Sequence, residues 1–129
     1  MIKVDLHLHS FYSPDAISSP QAICAAAMRK GLNAIALTDH DTTTGWEAVR
    51  EAAEQAGLLF IPGEERKVIV NGRVVGEVLC LFLREPVQSR DLAGIIGEVE
   101  SQGGLVVAAH PFDRRRPALG RYEELAEYH

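Results

Sequence analysis

Apolar and polar positions in this chain follow two periods, and the ionisable residues gather where one gives way to the other. Val4-Asp5-Leu6-His7-Leu8-His9 alternates with the two-residue period of a β-strand. Asp5, His7 and His9 therefore share one face, and Val4, Leu6 and Leu8 the other. A loop from Phe11 to Ser18 leads to Ser19-Pro20, which reads as an N-cap with proline at the first helical position. The alanine-rich helix that follows runs to Lys30 and stops at Gly31. Ala34-Ile35-Ala36-Leu37 is a short apolar strand ending in Thr38-Asp39-His40-Asp41. Thr44-Gly45-Trp46-Glu47 has the form of a capping box, opening a helix that ends near Gly57. Leu58 to Pro62 predicts a third strand, ending in Gly63-Glu64-Glu65.

Strand, polar loop and helix in repetition predict an α/β fold with parallel strands and helical crossovers. Lys67 to Val70 and Arg73 to Leu83 flank Asn71-Gly72, a hairpin signal. Ser89 is expected to cap a helix from Arg90 to Gln102, with Leu92, Ile95, Ile96 and Val99 on one stripe. Gly103-Gly104 breaks it, and Leu105 to Ala109 reads as another buried strand, ending in His110-Pro111. Tyr122 to His129 suggests a short final helix. There is no linker, repeat or low-complexity tract, so residues 1–129 read as a single domain.

Composition narrows the functional classes. The 129 residues are 47% hydrophobic and 24% charged, ordinary for a globular protein. A net charge of −5 argues against a general nucleic-acid surface, so nucleic acid is a less favoured partner than a small phosphorylated substrate. Cys24 and Cys80 lie in apolar runs and read as buried, reduced thiols. No apolar run approaches a membrane span, and Asp5, His7 and His9 stand where a signal peptide needs an apolar core. The expectation is a cytoplasmic protein. Trp46 reads as a packing residue.

Four of the five histidines (His7, His9, His40, His110), with Asp39 and Glu65, fall at or just past the C-terminal end of a predicted strand. In parallel α/β folds that rim is where active sites are built. Each residue alone has a structural explanation: an exposed edge strand for the two first histidines, a solvated turn for Glu65. Their joint placement is harder to explain that way. A mixed imidazole and carboxylate set suits zinc, manganese or iron(II). The donors exceed what one ion needs, so a bridging carboxylate could serve two or three ions, an arrangement typical of phosphate-ester hydrolysis. No G-x-S-x-G elbow occurs and neither cysteine is placed as a nucleophile.

Five ordered segments resemble the signature blocks of the PHP (polymerase and histidinol phosphatase) domain family. They are Asp5-Leu6-His7-Leu8-His9-Ser10, Ser13-Pro14-Asp15-Ala16, Leu37-Thr38-Asp39-His40-Asp41, Ile61-Pro62-Gly63-Glu64-Glu65 and Ala109-His110-Pro111. The resemblance implies a distorted TIM-like barrel of seven strands with a trinuclear metal site. It also implies a metal-dependent phosphoesterase in which a metal-bound hydroxide attacks phosphorus. Family members include histidinol phosphatases, small nucleotide phosphoesterases, exonucleases and the PHP regions of replicative polymerases. Carried over, His7 and His9 are ligands of one ion, and Glu65 bridges it to a second that His110 also binds. Asp15 and His40 are ligands of a third. Asp5 and Asp39 are expected to orient the histidines and the rim loop, and Glu64 is the alternative to Glu65.

Two departures stand out. Where the family places a histidine on the strand after the bridging glutamate, Glu77 is the only candidate substitute, in an uncertain register. The family's last block, with an aspartate and a histidine, has no counterpart, although His129 could act late in the chain. About five or six strands plus a hairpin make an incomplete barrel, so its open edge is expected to be covered by a homodimer partner, another chain or further sequence. Arg114 and Arg115, in the triplet Arg114-Arg115-Arg116, are candidate phosphate-binding residues, or else a solvated run. The alternative to an enzyme is a catalytically weak or inactive PHP-like metal-binding or assembly module.

Overall fold

A computed structural model describes residues 1–121 of the chain. Five strands and three α-helices alternate along it. They are β1 (Val4–Leu8), α1 (Pro20–Arg29), β2 (Ala34–Leu37), α2 (Trp46–Ala56), β3 (Leu59–Val70), β4 (Arg73–Leu81), α3 (Leu92–Ser101) and β5 (Leu105–Ala109). One five-stranded sheet has the order β1-β2-β3-β4-β5, each strand beside its predecessor. β1, β2 and β3 pair in parallel, whereas β4 pairs antiparallel to both β3 and β5. β1, β2, β3 and β5 therefore end at one common rim, and β4 runs back from it. The parallel β1-β2-β3 order is what the alternation of elements predicts, and with the hairpin and β5 it makes the open half-barrel that the family resemblance implies. Tyr122 to His129 lie outside the described residues.

The helices cover one face of the sheet. Ile23, Cys24 and Ala27 of α1 and Val49 and Ala53 of α2 pack with Ile35 and Leu37 of β2. Ile95 and Val99 of α3 pack with Val68, Val78, Cys80 and Leu119 in a second cluster. Trp46 touches both clusters, and its indole N–H donates to the Gly63 carbonyl at 2.7 Å, so it is a packing residue as expected. The opposite, concave face carries a small apolar floor of Ala36, Leu79, Leu81 and Ala109. Among the described residues no helix is long and apolar enough to cross a membrane.

Several local expectations are corrected. Ser19 caps α1, accepting from the Ala22 N–H at 3.2 Å, but α2 starts at Gly45 without a side-chain cap. A Cβ at Gly45 would sit 3.1 Å from Asp39 Oδ2 and 2.9 Å from the Tyr12 ring, so close approach to the rim overrides capping. α3 is capped by Asp91 and not Ser89, because the Ser89 hydroxyl donates to Glu98. The third strand does not stop at Pro62 but runs on through Gly63-Glu64-Glu65 into the hairpin, as one strand of 12 residues. β5 is not buried: Leu105 is 58% and Val107 43% exposed, and among the described residues no strand pairs with its outer edge.

Cys24 and Cys80 are both free and buried. Burial, and secondarily the Glu64 charge, pushes the Cys80 thiol up to about 12. The native protein should therefore not react with a thiol-labelling reagent at pH 8, whereas the unfolded chain should take up two labels, counted by mass spectrometry. Gly63 approaches Cys80 so closely that an added Cβ would lie 2.6 Å from its carbonyl oxygen. Gly63→Ala should cost about 1–3 kcal/mol by forcing β3 and β4 apart, measured as a shift in the urea midpoint.

Candidate metal centre

Strand alternation decides which carboxylate enters the concave face. On β3, Glu65 points inward and Glu64 outward, where Glu64 Oε1 accepts the Val87 N–H at 2.7 Å. Glu65 is the centre of the site although it is only 1% exposed. His7 Nε2 lies 3.0 Å and His9 Nε2 3.1 Å from its Oε2, with His40 Nδ1 at 3.5 Å from the same oxygen. His110 Nε2 is 3.1 Å from its Oε1. Four imidazoles from the ends of three strands thus surround one carboxylate.

The site extends to either side. His40 Nε2 lies 2.9 Å from Asp15 Oδ2, while its Nδ1 faces Glu77 Oε1 at 3.4 Å. Glu77 Oε2 is 3.0 Å from His110 Nε2. The rings of His9 and His40 stack with centroids 4.6 Å apart. Asp15, His40, Lys67, Glu77 and Arg116 line a cavity of about 470 Å³ beside this cluster.

The supporting bonds explain why each side chain is where it is. Asp39, fully buried at the end of β2, accepts both the Ser10 N–H and the Ser10 hydroxyl at 2.6 Å. That ties the segment after His9 to the segment before His40. Burial pushes the Asp39 carboxyl up, and the two bonds from Ser10 oppose it. The buried Ser13 hydroxyl donates to Asp15 Oδ1 at 2.9 Å and accepts the His40 N–H at 3.1 Å. Asp5 holds no imidazole; its Oδ1 accepts the backbone N–H of His7 at 3.1 Å. His110 sits at φ 30°, a left-handed backbone position for a non-glycine residue.

Electrostatics follows from this packing. Burial would raise the Glu65 carboxyl, but hydrogen bonds from His7 and His9 and the fields of His7 and His40 outweigh it, holding it well below the usual carboxylate range. Burial lowers His9, yet its contact with Glu65 and the charges of Glu65, Asp15 and Asp39 leave it raised above the ordinary 6.5.

The donor set fits divalent cations. His7-His9-Glu65, His9-Asp15-His40 and His40-Glu65-Glu77 each bring three donor atoms within 4.8 Å of one another. His7 Nε2 and His9 Nε2 stand 3.1 Å apart, and both face the same Glu65 oxygen. Two donors each about 2.1 Å from one ion are separated by roughly 3.0–3.4 Å, the spacing seen here. The Nδ1 atoms of His9, His40 and His110 are buried and make no hydrogen bond among the described residues. So many nitrogens and carboxylate oxygens aimed at one another are hard to satisfy with protons alone.

All six residues expected as ligands (His7, His9, Asp15, His40, Glu65, His110) fall in this cluster. Sequence reading reached Glu77 only as a candidate and passed over Ser13 and Lys67, although Lys67 stands two positions from Glu65 on the same strand. Of the arginine triplet, Arg116 lines the cavity; Arg114 and Arg115 are exposed on the loop, and the Arg115 N–H donates to Asp113 Oδ1 at 2.8 Å.

Fold and site together define an α/β half-barrel with a cluster of candidate metal donors at its strand ends. The PHP domain family matches residues 5–129, and the chain belongs to that family. It is 31% identical over 130 residues to an uncharacterized protein of Methanocaldococcus jannaschii, covering 92% of this chain and 73% of the relative. It is 28% identical to the 5′-3′ exoribonuclease of Escherichia coli, covering 95% of this chain but 51% of that enzyme. A solved two-domain protein from Bacteroides vulgatus, containing a predicted PHP-like metal-dependent phosphoesterase, superposes with a TM-score of 0.78 at 28% identity. That likeness covers 98% of this chain and 41% of the solved one.

Ser10→Ala should cost about 1–3 kcal/mol, because it strips one of two partners from a buried carboxylate. Thermal or urea unfolding of the variant measures this.

Proposed function

We propose that this chain carries the cation-binding centre of a phosphoesterase acting on a small phosphorylated metabolite or a nucleotide. The observation that carries the reading is the convergence of four imidazoles and three carboxylates at the strand-end rim of a PHP-family sheet. Bound divalent cations, zinc, manganese or iron, two or three in number, would acidify a water and neutralise phosphate oxygens. The chain's own residues hold and orient. His7, His9 and Glu65 form one donor group, and Asp15 and His40 a second. Glu65 reaches on toward His110 and so is suited to be shared.

Lys67 and Arg116 flank the cavity beside His40 and supply positive charge for a substrate phosphate. Arg114 and Arg115 lie in the same loop and are the other candidates for that task. The acidic net charge of −5 favours a small substrate over a long nucleic acid. The exposed apolar residues of the two sheet edges, Val4 and Leu6 on β1 and Leu105 and Val107 on β5, support a second copy or another chain covering them.

Metal content and activity test this together. Chelator-stripped protein reloaded with manganese or zinc should bind at least one ion per chain, by plasma mass spectrometry, and hydrolyse a generic phosphate ester. Less than one ion and no hydrolysis would overturn the enzyme reading; metal without hydrolysis would favour the binding-module alternative. Glu65→Gln should abolish turnover and lower the ion count. Arg116→Ala should raise KM at least several-fold with the ion count unchanged, and a larger effect from Arg114→Ala would move the phosphate contact to Arg114.

A further inference from the structure

The position of Glu77 depends on an irregularity in the hairpin. The turn at Asn71-Gly72 pairs Val70 with Arg73 and Ile69 with Val74, but Val68 then pairs with Gly76, leaving Val75 as the extra residue of a β-bulge. Without that bulge Gly76 would face Lys67, and Glu77 would lie on the helix-covered face. With it, Glu77 pairs with Lys67 on one side and Ala109 on the other, and so shares the concave face with Glu65. Gly76 is then brought against Leu119, where an added Cβ would lie 2.5 Å from Cγ. The bulge therefore selects which of two adjacent side chains reaches the metal centre.

Glu77 is 8% exposed, and its side-chain ion pairs run to imidazoles, to His40 at 3.4 Å and His110 at 3.0 Å. Glu65, beside it, is 1% exposed and likewise faces imidazoles. Two buried carboxylates whose ion pairs, among the described residues, run to imidazoles leave a place for a cation to balance them. His110 Nε2 lies between the two carboxylates, 3.1 Å from Glu65 Oε1 and 3.0 Å from Glu77 Oε2.

We propose that Glu77 is a metal ligand, sharing one divalent cation with Glu65 and His110. Its carboxylate makes this position the one that favours manganese(II) over zinc. The two positions differ in donor chemistry: His7-His9-Glu65 offers two nitrogens and one carboxylate, whereas this one offers one nitrogen and two carboxylates. Oxygen-rich sets suit manganese and magnesium, and imidazole-rich sets suit zinc. The inference rests on the metal-binding reading above.

Binding, not turnover, tests it. Stripped wild type, Glu77→Gln and Glu77→His are titrated with manganese alone and with zinc alone. Ions per chain are counted by plasma mass spectrometry, and free manganese is followed by electron paramagnetic resonance. Glu77→Gln should lose one manganese per chain or bind it at least tenfold more weakly. Glu77→His should keep the zinc count while its zinc-over-manganese preference rises at least tenfold. Manganese binding by Glu77→Gln within twofold of wild type, in number and affinity, would overturn the ligand assignment; an unchanged preference in Glu77→His would overturn the selectivity. If Glu77→Gln has lost its native circular dichroism, Glu77→Asp takes its place, and the same tenfold weakening is expected from its shorter reach. Wild type that binds no ion would sink both this inference and the reading beneath it, whereas normal wild-type binding with an indifferent Glu77→Gln would sink this one alone.

Discussion

A carboxylate removed from water must be compensated where it lies, and Glu65 sets that requirement for the whole rim. Backbone bonds fix it on both sides: its N–H donates to the Asp39 carbonyl at 3.0 Å, and its carbonyl accepts the Asp41 N–H at 2.9 Å. On its other flank it pairs in register with Leu79 of β4. Because neither strand can shift without breaking those bonds, the compensating groups come to the carboxylate. They arrive from β1, from the end of β2 and from the end of β5. The curvature of the sheet and the positions of the strand-end loops are consistent with that one demand.

β3 carries a second charge network on its other face, and it supports the first. Arg66 donates to the carbonyls of Gln88 and Ser89 at 3.2 and 2.9 Å, holding the segment that leads into α3. Arg90 donates to Asp41 Oδ1 at 2.6 Å, and the Lys67 N–H donates to the same oxygen at 3.2 Å. Asp41 is the residue after His40 and takes a left-handed φ of 51°. The loop bearing His40 is thereby gripped from behind by two arginine-bearing segments, while its imidazole faces the concave side. Alternation along a single strand lets Glu64 and Arg66 brace the outer layer while Glu65 and Lys67 face the site.

How far the residues announced this arrangement depends on how local each determinant is. His7 and His9 were legible because an uninterrupted period of two assigns them to one face. His40, Glu65 and His110 were legible because they follow apolar runs short enough to be strands in a fold whose sites form at strand ends. Asp15, in the loop after β1, was reached only through the family resemblance of Ser13-Pro14-Asp15-Ala16. The bulge at Val75 has no such signature. It brings Gly76 against Leu119, more than forty positions later, a contact that no local pattern announces, so the face of Glu77 could not be counted from the turn. The capping box at Thr44 failed for a similar reason, since only the folded rim brings Tyr12 and Asp39 against Gly45. The exposure of β5 was missed because an apolar run looks the same at the edge of a sheet as at its centre.

The order of the sheet is also the order of the chain. Each strand lies beside the one synthesised just before it, so every pairing closes a short loop and none waits for a distant segment. Five of the six ligands expected from the family resemblance lie within the first 65 residues, on β1, β2, β3 and the loops after them. A chain emerging from its N-terminus can therefore bring most of its donors together before β4 exists. In such a nascent chain most of the candidate donors would stand together while the sheet is still growing, and Glu77 and His110 would join them last.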